Sequence, residues 1–193
     1  EAGSNLVIIS RTKKDLNEVS KKIKKLKSKC RSYVCDITNY NEIKKIINKQ
    51  PKIDILINNA GNNIPEHFCK VTEERFDKIM DLNVKSAFFV AQVVARGMVE
   101  SGIKGSIIHI SSQMGIVGGK NRTVYCASKH AMEGFCKGMA LDLAENGIRV
   151  NTVCPTFIET DLTRPFMEEK DFKDYIINRI PLGHIGQTED VAD

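Results

Sequence analysis

Short apolar runs alternate with longer segments of helical period along the whole chain. Asn5–Ser10, Ser32–Asp36, Ile53–Ile57, Ser106–Ile110 and Ile148–Val153 each read as a short strand. Their nearly continuous apolar character fits burial on both faces. The segments between them read as helices. One is lysine-rich and opens at Thr12-x-x-Asp15, close to a capping box. A second covers roughly Asn41–Asn48, and a third runs from Thr72 towards Glu100. A fourth covers Val124–Glu145 and stops at Asn146-Gly147, a helix-ending pair. Strands in alternation with helices predict βαβ units and an α/β fold with a doubly wound parallel sheet. Residues 1–193 read as one domain, without repeat or linker. The stretch 161–185, with Pro165 and Pro181, reads as loop-like and mobile.

Composition narrows the class. Of 193 residues, 41% are hydrophobic and 27% charged, a balance that excludes disorder. No run approaches the roughly 18 apolar residues of a membrane span, and the N-terminus lacks a secretory signal. A cytoplasmic location, without a membrane partner, is the expectation. The chain does not begin with Met and reads as a piece of something longer. Its six cysteines are dispersed, without a Cys-x-x-Cys pair, and read as reduced thiols in or near a core. The four histidines lack ligand spacing, so no metal site is expected. Net charge is +5, but residues 11–52 carry fourteen Lys and Arg against four Asp and Glu. The block is densest in Lys21–Lys29; Leu16, Val19, Ile23 and Leu26 recur at helical spacing through it, and no aromatic residues interleave that dense part. A solvated helix face is favoured there over a nucleic-acid site.

In open α/β sheets ligands lie beyond the carboxyl ends of the strands. Each such end here is polar: Ser10-Arg11-Thr12-Lys13, Asp36, Asn58-Asn59-Ala60-Gly61, Ser111-Ser112, and Pro155 with Thr160. On the fourth helix Tyr125 and Lys129 are four residues apart and share one face. A free Tyr titrates near pH 10, about three units above neutrality, and a nearby ammonium favours the phenolate. A tuned Tyr of this kind suits general acid–base work. Ser112, on the adjacent strand end, can hold a carbonyl oxygen beside it. Taken alone, the pair also fits an ordinary exposed Tyr and Lys on a helix.

The combination resembles the classical short-chain dehydrogenase/reductase family. The matching motifs are Asn58-Asn-Ala-Gly61, Asn83, Ser112, Tyr125-x-x-x-Lys129 and Ile148-Arg-Val-Asn-Thr-Val-Cys-Pro155, with thirteen residues from Ser112 to Tyr125. The resemblance implies a Rossmann-type oxidoreductase that exchanges hydride between NADP(H) and a ketone or secondary alcohol. It makes Tyr125 the acid or base and Lys129 the group that lowers its pKa and binds the nicotinamide ribose. Ser112 would orient the substrate carbonyl, and Asn83 would hold a water in a proton relay. Asp36, with Ile37 beside it, would meet adenine, and Asn59, Ala60 and Gly61 would line the cofactor. Pro155, Ile158 and Thr160 would reach the nicotinamide end. Arg11, where an NAD-selective site carries an acid, favours NADP(H) over NAD(H).

The chain also departs from the family. Its glycine-rich turn is absent, and Gly115, Gly118 and Gly119 lie in a different loop. Glu1-Ala-Gly3 resembles the end of the family's first helix, and Gln187–Asp193 resembles the start of a later one. The family's first and last strands are therefore expected outside the chain, which would leave this piece alone inactive. The late turn reads Pro155-Thr156 rather than Pro-Gly.

Ser111-Ser-Gln113, Thr123-Val-Tyr-Cys126 and Asn178–Gly183 resemble xylulose- and gluconate-type reductases. The scaffold also resembles 3-oxoacyl-carrier-protein reductases. The expected substrate is a small polar carbonyl, sugar or polyol, with 161–185 on the substrate side. Gln113 and Arg122 are near enough to Ser112 and Tyr125 to contact it, or they lie in a solvated loop. A non-catalytic NADP-binding sensor is a reading of another class, and a Rossmann-like methyltransferase leaves Tyr125 and Lys129 unexplained. The resemblance implies a homo-oligomer, dimer or tetramer, with Phe88, Phe89, Met132, Phe135 and Met139 as candidates for buried faces.

Overall fold

A computed structural model describes residues 3–161 and 163–192 of the chain. Five strands and their helices follow in alternation: β1 Leu6–Ser10, α1 Lys13–Lys25, β2 Cys30–Val34, α2 Tyr40–Asn48, β3 Ile55–Asn58, α3 Glu73–Met80, α4 Ala87–Glu100, β4 Ser106–Ile110, α5 Thr123–Asp142 and β5 Arg149–Val153. All pairing among the strands is parallel, with β1 beside β2 and the order β3-β4-β5. The doubly wound α/β pattern is therefore present. The sheet is divided between β1 and β3, where the resemblance puts a further strand.

The core shows why these segments fold as they do. α2 packs on α4, and Ile43, Ile46 and Ile47 of the one and Ala91, Val94 and Met98 of the other share one buried core with Ile107 and Val150. These residues recur three and four apart on each helix, the spacing of one apolar face. The helix expected from Thr72 to Glu100 is interrupted by a π-helical stretch, Asp81–Ser86, which joins α3 to α4. A π stretch moves hydrogen bonds to i→i+5 and re-aims the side chains within it, often at functional sites. It turns Asn83 inward, with none of its surface exposed.

Three local expectations change. β2 ends at Val34 rather than Asp36 because its partner β1 ends at Ser10. Asp36 instead forms a turn, accepting from the Thr38 amide and hydroxyl at 2.9 and 2.8 Å. Thr12 precedes α1 but makes no side-chain capping bond; Asp15 is shorter than the Glu or Gln of a capping box. The stretch after Thr160 is not loop-like: it contains α6 Arg164–Met167 and α7 Lys170–Ile177, before α8 Glu189–Ala192. Pro165 sits in the first turn of α6, where a missing N–H costs no helical bond. Expectations on Glu1, Ala2 and Asp193 lie outside the described residues. No helix among the described residues is long and apolar enough to cross a membrane, and all six cysteines are free.

Candidate active site

The carboxyl ends of β1, β2 and β3 carry the residues expected there into one crevice. Arg11, Asp36, Ile37, Asn59, Ala60 and Gly61 line a cavity of about 430 Å³ between β1 and β3. Arg11 stands 3.9 Å from Asp36 and remains largely exposed. The Thr38 hydrogen bonds, more than Arg11, hold the Asp36 carboxyl below the usual carboxylate range. Asn58 is structural, donating from Nδ2 to the Ala87 carbonyl at 3.0 Å and lying 3.2 Å from His109 Nδ1.

Asn83, Gly61 and Lys129 converge at the end of that crevice. The Asn83 amide accepts from the Asn62 N–H at 2.9 Å and donates to the Asn62 carbonyl at 2.9 Å. It also donates to Ser128 Oγ at 3.0 Å, and Ser128 donates to the Tyr125 carbonyl at 2.7 Å. Asn83 thus ties the loop after β3 to α5. A Cβ on Gly61 would stand 3.3 Å from Asn83 Oδ1 and 3.8 Å from Lys129 Nζ. The tighter of the two contacts is with Asn83, so glycine is what lets the backbone pass beside that amide.

Lys129 is buried, and its Nζ donates to the Ile110 carbonyl at 2.8 Å. Burial pushes its pKa down to about 8, while Cys154 and Glu133 oppose the shift. Burial raises the Tyr125 hydroxyl above its ordinary value; Ser112 and then Arg122 pull the other way. The pull on the phenol therefore comes from Ser112 and Arg122 rather than from Lys129, which lies 5.7 Å from the ring centre. Ser112 Oγ accepts from the Met114 amide at 3.2 Å. The next amide, of Gln113, donates to the Pro155 carbonyl at 3.0 Å and links this loop to the β5 end. Ile158 forms a lone bridge with Gly186, and the Thr160 amide donates to Thr163 Oγ1 at 2.9 Å. These two residues lie on the far side of Pro155, outside the cavity lined by Arg11.

Glu133 was not singled out in the sequence. It accepts from Thr152 Oγ1 at 3.0 Å and from the Cys154 thiol at 3.3 Å, clipping the β5 end to α5. Burial opposes its charge, but the hydroxyls and thiol around it hold the carboxyl below its usual range. Of these, Ser111 Oγ makes no hydrogen bond among the described residues. A Cβ on Gly115 would lie 3.0 Å from both Glu133 Cγ and Ser111 Oγ, so the loop after Ser112 rests on this clip. The available signal was spacing: Tyr125, Lys129 and Glu133 recur every four residues on one face.

Comparison with known proteins identifies the family and the fold. The family model described as short chain dehydrogenase matches residues 1–171. An L-xylulose reductase of Mesocricetus auratus is 33% identical over 192 residues, covering all of this chain and 77% of that protein. The 3-oxoacyl-[acyl-carrier-protein] reductase FabG of Thermotoga maritima is 35% identical over 196 residues, covering 100% of this chain and 78% of its own length. A solved structure titled a putative 2-deoxy-d-gluconate 3-dehydrogenase from Agrobacterium tumefaciens with bound NADP superposes with a TM-score of 0.93. It is 31% identical, with 99% of this chain and 76% of that chain covered.

Proposed function

The chain belongs to the short-chain dehydrogenase/reductase family, and from that premise we propose that this oxidoreductase interconverts a small polar ketone and its secondary alcohol using NADP(H). One observation carries the reading: Ser112 acts on the Tyr125 hydroxyl, Lys129 lies 5.7 Å from the Tyr125 ring, and Gly61, beside Lys129, lines the same cavity as Arg11. The residues fit a dinucleotide. Asn59, Ala60 and Gly61 line the cavity, and a Cβ at Gly61 would press on Asn83 Oδ1 at 3.3 Å. Arg11 would hold the 2′-phosphate, Asp36 and Ile37 the adenine, and Lys129 the ribose beside nicotinamide. Pro155, Ile158 and Thr160 would flank the nicotinamide itself.

When bound, the nicotinamide supplies hydride to the carbonyl carbon or receives it in reverse. Tyr125 protonates the carbonyl oxygen during reduction, and its raised pKa keeps that proton on the phenol at neutral pH. Ser112 donates to the same oxygen as negative charge builds on it. Lys129 stabilises the phenolate left behind and returns a proton by way of its own ammonium. Asn83 holds the loop after β3 against α5 and keeps the ammonium at its place.

The relatives named L-xylulose reductase and 2-deoxy-d-gluconate dehydrogenase support a polar, hydroxylated substrate. The Thermotoga relative supports a second reading, reduction of a 3-oxoacyl thioester. NADPH oxidation by the full-length protein with ketoses, diketones and acetoacetyl thioesters decides between them. Turnover of the thioester alone would overturn the first reading, and turnover of none would overturn both. We also propose a cytoplasmic homo-oligomer. An apolar hollow of about 550 Å³, lined by Phe88, Val99, Met139 and Leu143, supports pairing through α4 and α5.

A further inference from the structure

We propose that Arg122 binds a carboxylate of the substrate, and that the natural substrate is a keto acid or its hydroxy-acid partner rather than a neutral sugar. The inference rests on the reading of Tyr125 as the group that protonates the carbonyl. Arg122 lies immediately before α5, three residues ahead of Tyr125. Its stem passes over Gly119, and its guanidinium stands 5.8 Å from the centre of the Phe166 ring on α6. The side chain is thus held between the loop after Ser112 and the segment beyond β5.

Its charge has no protein counterpart. Among the described residues Arg122 makes no ion pair, whereas Arg75 pairs with Glu66 and Arg164 with Asp161. Its one hydrogen bond, Nη1 to the Asn121 carbonyl at 3.4 Å, is long, and that oxygen already accepts from the Glu66 amide at 3.0 Å. The titratable groups acting on it are Cys126 and Tyr125, neither of them a carboxylate. A half-buried guanidinium without an anion carries a desolvation cost that a bound anion offsets. Its planar fork of donors matches a carboxylate in bidentate fashion. Arg122 precedes Tyr125 by three residues and its charge acts on the Tyr125 hydroxyl, so an anion held by Arg122 lies beside the carbonyl that Tyr125 protonates. The carboxylate anchors and does not react: hydride goes to the ketone carbon, the Tyr125 proton to its oxygen.

The test uses the full-length protein and matched pairs, each a keto acid and its neutral amide, such as 4-oxopentanoate and 4-oxopentanamide. The expected result is a higher kcat/KM for the acid. Arg122→Gln should lower the acid-to-amide ratio about 10- to 100-fold, mostly through KM. Arg122→Lys should recover part of it. Taking the ratio cancels any effect of the substitution on Tyr125 or on folding. A ratio unchanged in Arg122→Gln, or amides preferred by the wild type, overturns the proposal. If neither member of any pair is reduced, the reading of Tyr125 fails instead. Calorimetric titration of 4-oxopentanoate into both proteins then decides this one: tighter binding by wild type supports it, and equal or undetectable binding overturns it.

Discussion

The Lys129 ammonium donates to the Ile110 carbonyl at 2.8 Å and sits 5.7 Å from the centre of the Tyr125 ring. It is anchored to the end of β4, two residues before Ser112, and stands off from the phenol. In the proposed reaction the two groups divide the proton work. Burial keeps the Tyr125 proton in place, so the phenol is a donor in the resting protein. The ammonium supplies positive charge once that proton has left.

This placement has a pH signature. Lys129 titrates near pH 8 in the folded chain against 10.5 ordinarily. Between those values the unfolded chain holds the extra proton, so the contribution of Lys129 to stability rises with pH. Urea unfolding across that range should show wild type gaining on Lys129→Met. Parallel stability curves would contradict the burial of the charge.

His109 predicts a loss at the acid side. Burial, helped by Lys129, pushes its pKa down to about 4 from 6.5. Stability should therefore fall as pH drops from 6.5 towards 4, by up to about 3 kcal/mol for such a shift. In His109→Gln that slope should flatten. An unchanged acid limb would mean that other groups carry it.

Glu133 should matter to the β5 end rather than to the chemistry directly. Glu133→Leu leaves the Thr152 hydroxyl and Cys154 thiol without their acceptor, at an expected cost of about 1–3 kcal/mol in urea unfolding. Glu133→Gln, which keeps an acceptor oxygen, should cost less. Equal stability of Glu133→Leu and wild type would remove the clip from the account.

Arg11→Asp should weaken NADPH much more than NADH, by about tenfold or more in the ratio of affinities, because a charged bidentate contact is replaced by repulsion. Fluorescence titration of both cofactors with the full-length protein measures it. An unchanged ratio removes Arg11 from the 2′-phosphate.

Much of this was legible in the sequence because short-range patterning dictates it. Apolar runs mark β1, β4 and β5 to within a residue, and the 3.6-residue period marks α2 and α5. The polar strand ends pointed to the crevice, and Tyr125 with Lys129 to its end. Long-range contacts were not legible. Nothing near Asp36 announces that β2 stops where β1 stops. The π turn leaves apolar spacing almost intact while it turns Asn83 inward. Pro165 reads as a breaker until its place in the first turn of α6 is known. Glu133 takes its meaning from Thr152 and Cys154, nineteen and twenty-one residues away.

The central claim, that Tyr125 carries the proton to the substrate oxygen, is tested most directly by Tyr125→Phe in the full-length protein. Single-turnover NADPH oxidation is measured beside NADPH binding. The account predicts binding within about threefold of wild type and a rate lowered by at least about 100-fold, the range of general acid catalysis. A Tyr125→Phe protein that binds NADPH and still turns over near the wild-type rate would contradict it.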